Sequence, residues 1–209
     1  MYRTVIFDLD GTLVDSSDGI IRATEEALDI LKYPAMSHAE IRSYIGPPIG
    51  NSIIERNGLG ADDLEEFNRV FRDIYKNKYL MNATVYPGIM ELLSDLNDRF
   101  IGIATNKRID YTLVLLENIR ISEYCDVVEG LDMKGTLKKK DLIEKCAEAS
   151  GENRERIVMI GDTASDMNAA KEYGIDFIGV TYGFGFKCAD DVTYGHAAEN
   201  VQSLRDMLF

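Results

Sequence analysis

One apolar run near the start of the chain, Val5-Ile6-Phe7, ends in a pair of acids, Asp8 and Asp10, with Leu9 between them and Gly11-Thr12 after them. It reads as a short buried strand that stops in a tight turn. From Ser16 to about Asn82 the signals are helical only, and every other strand signal lies beyond Tyr86-Pro87-Gly88. The first strand therefore belongs with the later ones, and the helical stretch between them is an insertion in one α/β domain.

The two textures are distinct. Within the insertion, Ile20, Ala23, Ala27, Leu28 and Leu31 keep a helical period, and Ser37 with Glu40 makes a capping box. Gly46-Pro47-Pro48 breaks that second helix, and Leu64, Phe67, Val70, Phe71, Ile74 and Tyr75 stripe a longer one. After Gly88 short apolar strands at 100–104, 126–129, 157–160 and 177–180 alternate with helices. That alternation predicts a Rossmann-like parallel sheet with helices on both faces. The predicted division is an α/β core over 1–15 and 83–209 with an all-helical cap over 16–82. Because ligands sit outside the carboxyl ends of such strands, the insertion is expected to act as a lid over Asp8 and Asp10.

Charge narrows the function. The 209 residues carry 36 acids against 23 bases, a net −13, which argues against a nucleic-acid backbone or an anionic membrane as partner. A small phosphorylated molecule needs only a local basic pocket. Cys125, Cys146 and Cys188 are widely spaced, with no CxxC pair, and read as buried, reduced cytoplasmic thiols. No apolar run approaches the roughly 20 residues of a membrane span. The first strand begins almost at once, so no secretory leader is expected.

Polar groups gather at the predicted strand ends. Two carboxylates as close in sequence as Asp8 and Asp10 repel one another unless a cation sits between them, and a hard divalent ion, Mg2+ above all, suits oxygen ligands. Gly11 lets the backbone turn near a ligand, and Thr12 adds a hydroxyl and an amide. After the 100–104 strand come Thr105 and Asn106, read as the start of a helix that could hold a phosphate oxygen or simply be capped. After the 157–160 strand, Gly161-Asp162 repeats the strand-to-acid turn, and Asp166 can cap the helix that follows and hold a nearby lysine. Lys138-Lys139-Lys140 precedes another helix. One of these aimed at the site would offset the acids, while the others form a solvated face.

Taken together, Asp8-x-Asp10-Gly11-Thr12, an apolar run with Thr105-Asn106, a lysine, and Gly161-Asp162 followed by Asp166 resemble the haloacid dehalogenase-like phosphatases along the whole chain, inserted helical cap included. The resemblance implies that Asp8 is a nucleophile that becomes phosphorylated, and that Asp10 is the acid and then the base. Thr105 and the amide of Asn106 would bind the phosphoryl group, and a lysine would neutralise it. Mg2+ would be held by Asp8, the Asp10 carbonyl and Asp162, with Asp166 in support. Many relatives place the lysine in a Lys-Pro-x-Pro stretch that this chain lacks. Lys139 is favoured, 23 residues before Asp162 and directly before the helix, with Lys138 and Lys140 still open.

Gly46-Pro47 in the cap and Gly179-Val180-Thr181-Tyr182-Gly183 resemble segments of phosphoglycolate phosphatase-like members, which puts Gly46 and Pro47, with Gly11 and Thr12, on the substrate side. Arg22, Arg42 and Arg56 are cap cations, read as a solvated face before a substrate clamp. The expected activity is hydrolysis of a small phosphomonoester by a cytoplasmic monomer or homodimer. Phosphoglycolate comes first, then nucleotides, pyrophosphate or sugar phosphates. Thr12 stands where sugar-phosphate mutases such as β-phosphoglucomutase often carry valine. A phosphate-binding protein without turnover is the rival of another class.

Overall fold

The computed structural model describes residues 1–46, 48–133 and 136–209, so Pro47 lies outside the described residues. In chain order the strands are β1 (Thr4–Phe7), β2 (Val14–Asp15), β3 (Thr84–Val85), β4 (Phe100–Arg108), β5 (Val127–Leu131), β6 (Ile157–Gly161), β7 (Asp176–Val180) and β8 (His196–Ala198). The helices are α1 (Ser17–Leu31), α2 (His38–Ser43), α3 (Ile49–Asn57), α4 (Ala61–Ile74), α5 (Ile89–Asp95), α6 (Ile109–Asn118), α7 (Lys139–Ser150), α8 (Ala164–Tyr173) and α9 (Val201–Leu208). Two units emerge: Met1–Asp15 with Val85–Phe209, and Ser16–Thr84.

The larger unit is α/β. Its six-stranded sheet runs β5-β4-β1-β6-β7-β8, with every pairing parallel. All four residues of β1 are buried, as a central strand covered on both faces must be. Ile6 belongs to a core cluster with Ala104 and Met159 of the neighbouring strands, Leu142, Ile143 and Cys146 of α7, and Met167 and Ala170 of α8. Side chains alternate faces along a strand, so Val5 and Phe7 look the other way.

In the smaller unit α1 packs on α4 and on α2, and α3 packs on α4. Ser37 Oγ accepts the Glu40 amide at 3.2 Å, capping α2. Along α4 and the π-turn Tyr75–Tyr79 that continues it, Phe67, Phe71 and Tyr75 stack in succession, 5.9 and 5.6 Å between ring centres. No helix among the described residues is long and apolar enough to cross a membrane.

Four expectations are corrected. The fourth strand runs to Arg108, so Thr105 and Asn106 are strand residues and the helix begins only at Ile109. Pairing with β5 carries the strand onward, with a register shift between Thr105 and Arg108. Lys139 is not the residue before a helix but its first residue, since the Asp141 carboxylate accepts the Lys138 amide at 2.8 Å and starts the helix earlier. The main sheet has a sixth strand, β8, beyond the five that the sequence predicts, because His196-Ala197-Ala198 carries only a weak apolar signal and is ordered by its ladder with β7. Cys188 is exposed, unlike Cys146.

Candidate active site

Parallel strands in register bring their carboxyl ends to one edge. Phe7 of β1 lies level with Ile103 of β4 on one side and Ile160 of β6 on the other. Asp8 follows directly, its amide donating to the Ile160 carbonyl at 2.8 Å. Thr105 and Asp162 then lie just beyond the same level on the flanking strands. Three stretches far apart in sequence thus deliver their polar residues to one place.

Asp8, Asp162 and Asp166 form a buried group whose nearest carboxylate oxygens all lie within 4.8 Å of one another. Lys139, at the first turn of α7, reaches into it, with Nζ 2.8 Å from Asp8 Oδ1 and 2.7 Å from Asp166 Oδ1. At these distances the ammonium is a charge-assisted partner of both carboxylates. Burial pushes the Asp8 carboxyl up to about 6, with Lys139 pulling it back and Asp166 adding to the rise. Asp162 is driven further, to about 8, by burial and then by Asp166 and Asp8. For Lys139, burial pulls its pKa down, but Asp166 and Asp8 together outweigh that and hold the ammonium charged.

Each acid is aimed by its surroundings. Asp166 Oδ2 accepts the Thr163 amide at 3.0 Å and the Thr163 hydroxyl at 2.7 Å, which caps α8 and leaves Oδ1 facing the lysine. Asp162 Oδ2 accepts the amides of Phe184 at 2.7 Å and Gly185 at 3.2 Å, leaving a buried Oδ1 with no hydrogen bond. The residues fit a divalent cation. With all three carboxylates ionised, one ammonium would leave a surplus of two negative charges, and Asp162 Oδ1 has no hydrogen bond; a divalent cation would supply that missing charge, and oxygen donors of this kind are what Mg2+ takes.

The other anticipated residues fall less uniformly. Thr105 is buried, its hydroxyl accepting the Lys107 amide at 3.2 Å. Asn106 donates its side-chain amide to Ser165 Oγ at 3.4 Å. The backbone amides of Gly11 and Thr12 are engaged inside their own turn, with Val14 O at 2.8 Å and Leu9 O at 3.2 Å, so the ligand-facing amide expected at Thr12 is corrected. Its hydroxyl is buried without a hydrogen bond. In the smaller unit Gly46 has φ +132°. Arg22 pairs with Asp18 at 2.9 Å, Arg56 pairs with Glu40 at 2.7 Å, and Arg42 donates to Ser17 Oγ.

Two features escape sequence reasoning. Lys107 grips the Asp10 carboxylate, and the loop 182–186 clamps Asp162. Only the closeness of Lys107 to Thr105-Asn106 hinted at the first.

A haloacid dehalogenase-like hydrolase family model matches residues 5–180. The chain is 30% identical over 187 residues to a Pseudomonas aeruginosa protein named 5'-nucleotidase, covering 88% of this chain and 85% of that one. It is 29% identical over 233 residues to the Escherichia coli phosphoglycolate phosphatase, covering 99% and 91%. A crystal structure of a predicted phosphatase from Clostridium acetobutylicum superposes with a TM-score of 0.92 at 29% identity, over 100% of this chain and 98% of that one. The family match takes in Asp8, Thr105, Lys139 and Asp162 in one span, and the chain belongs to the haloacid dehalogenase-like hydrolases.

Proposed function

We propose that this protein is a Mg2+-dependent phosphatase that hydrolyses a small organic phosphomonoester of the phosphoglycolate type through phosphorylated Asp8. The observation that carries the reading is the placement of Lys139, buried and charged, between Asp8 and Asp166 with Asp162 beside them. A carboxylate nucleophile splits hydrolysis into two easier displacements. Asp8 attacks phosphorus as the bond to the leaving oxygen breaks, and Asp10 gives that oxygen a proton. Water then attacks the same phosphorus, Asp10 takes its proton, and the bond to Asp8 breaks to release phosphate.

Lys139, the Thr105 hydroxyl and the Asn106 amide hold the phosphoryl oxygens, where positioning and charge neutralisation dominate the barrier. Asp8, Asp162 and the Asp10 carbonyl would hold Mg2+, with Asp166 in support, and the ion would neutralise and orient the phosphoryl group. Phosphoglycolate is the first substrate to test and nucleoside 5'-monophosphates the next; relatives named phosphoglycolate phosphatase and 5'-nucleotidase support both choices. Pyrophosphate and sugar phosphates follow.

The test is phosphate release from that panel with and without Mg2+. Release is expected to need the metal and to fall by at least about 10⁴-fold in Asp8→Asn. Conversion of a sugar phosphate to its isomer without free phosphate would make the protein a mutase. Silence toward every ester with metal present would leave a phosphate-binding protein.

A further inference from the structure

The Asp10 carboxylate is not one of the converging acids, although Asp8, two residues before it, is. Among the described residues, the group whose oxygens converge is Asp8, Asp162 and Asp166. Both oxygens of Asp10 instead accept from Lys107 Nζ, at 3.0 and 2.9 Å. The pair is largely enclosed, with the lysine side chain 5% and the aspartate 16% exposed. The irregularity of β4 between Thr105 and Arg108 lies at this lysine, and such irregularities re-aim side chains. A buried ion pair of this kind adds little net stability, so its geometry is the more telling feature.

We propose that Lys107 is a positioning residue. It grips the Asp10 carboxylate by both oxygens, outside the acidic cluster, and so aims Asp10 at the attacking water rather than at the metal site. A carboxylate left loose beside three others and a divalent cation would be drawn in as one more ligand. The step served is the second one: the water oxygen bonds to phosphorus, its proton passes to Asp10, and the phosphorus–oxygen bond to Asp8 breaks, which restores the Asp8 carboxylate. The inference rests on the phosphatase reading above.

The test uses Lys107→Met, Lys107→Arg, Asp10→Asn and the Lys107→Met/Asp10→Asn double variant on 4-nitrophenyl phosphate, whose leaving group needs no proton. Lys107→Met is expected to lower steady-state turnover about 10- to 100-fold. It should also show a burst of nitrophenolate near one equivalent per site, with acid-trapped phosphoprotein, because only the second step is slowed. Lys107→Arg should recover most of the rate. The double variant should be no slower than Asp10→Asn, since Lys107 acts through Asp10. A slow Lys107→Met with no burst, or losses that multiply in the double variant, would overturn the inference, as would wild-type turnover in Lys107→Met. If Lys107→Met does not fold, Lys107→Gln is read in its place by the same criteria. An Asp10→Asn variant as active as wild type would instead sink the phosphatase mechanism itself.

Discussion

Asp8 and Asp162 hold protons more tightly in the folded chain than an exposed aspartate does, at about 6 and about 8, chiefly through burial. The folded metal-free state therefore binds more protons than the unfolded chain from about pH 4 up to about pH 8. Stability from these groups is fully present below the unfolded pKa near 4 and is lost as pH rises through the folded values. Metal-free protein should accordingly melt at lower temperature at pH 8 than at pH 5. Added Mg2+ needs ionised carboxylates, so it should raise the melting temperature more at pH 8 than at pH 5, which scanning fluorimetry at the two pH values checks. Lys139 is the one of three neighbouring lysines buried against Asp8, while Lys138 is exposed and Lys140 pairs with Glu172 at 3.0 Å. Lys139→Ala is expected to lower phosphate release by at least about 10²-fold and Lys138→Ala or Lys140→Ala by less than about 3-fold, measured side by side. No proline marks that lysine in this sequence, and the choice among the three rested on spacing until the helix start placed Lys139 inward.

At the scale of elements, the site depends on two turns that meet at Asp162. Gly11 has φ +83°, and a Cβ there would stand 2.2 Å from Asp162 Oδ2. A Cβ on Gly183 would stand 2.3 Å from the Gly11 carbonyl and 2.5 Å from Asp162 Cβ. Nearby, Tyr182 packs edge-on to Tyr86 and donates to the Thr12 carbonyl at 3.0 Å, tying the two turns together. Gly183→Ala must displace backbone, so it should cost about 1–3 kcal/mol of stability and weaken Mg2+ binding about 10-fold, read by denaturation and by calorimetry. The glycines were visible in the sequence, and so was the likeness of 179–183 to a family segment. The clamp on Asp162 was not, because it consists of backbone amides whose direction no residue type announces. For the same reason the run through Asn106 read as a helix start: its local signals suit a cap, and the ladder with β5 overrides them.

Across the whole molecule, the larger unit's core is built on both faces of one parallel sheet. Phe177 of β7 is fully buried and meets Phe186 edge-on, with ring centres 6.2 Å apart. Phe177→Ala should therefore cost about 3–5 kcal/mol in denaturant unfolding, a cavity loss that no surface change in this chain would match. The six-stranded order places β1 between β4 and β6, so the strand carrying Asp8 is flanked by the two whose ends carry Thr105 and Asp162. By itself the sequence determined the kinds of elements and their order, since periodicity and turn residues act locally, and the strand-helix alternation left a parallel sheet as the outcome. It also marked the acids at the strand ends. Only tertiary structure decided which lysine meets Asp8, where the Asp10 carboxylate goes, and what holds Asp162. Those answers depend on the register and facing of strands many residues apart, and that is settled when the sheet assembles rather than in any one stretch of chain.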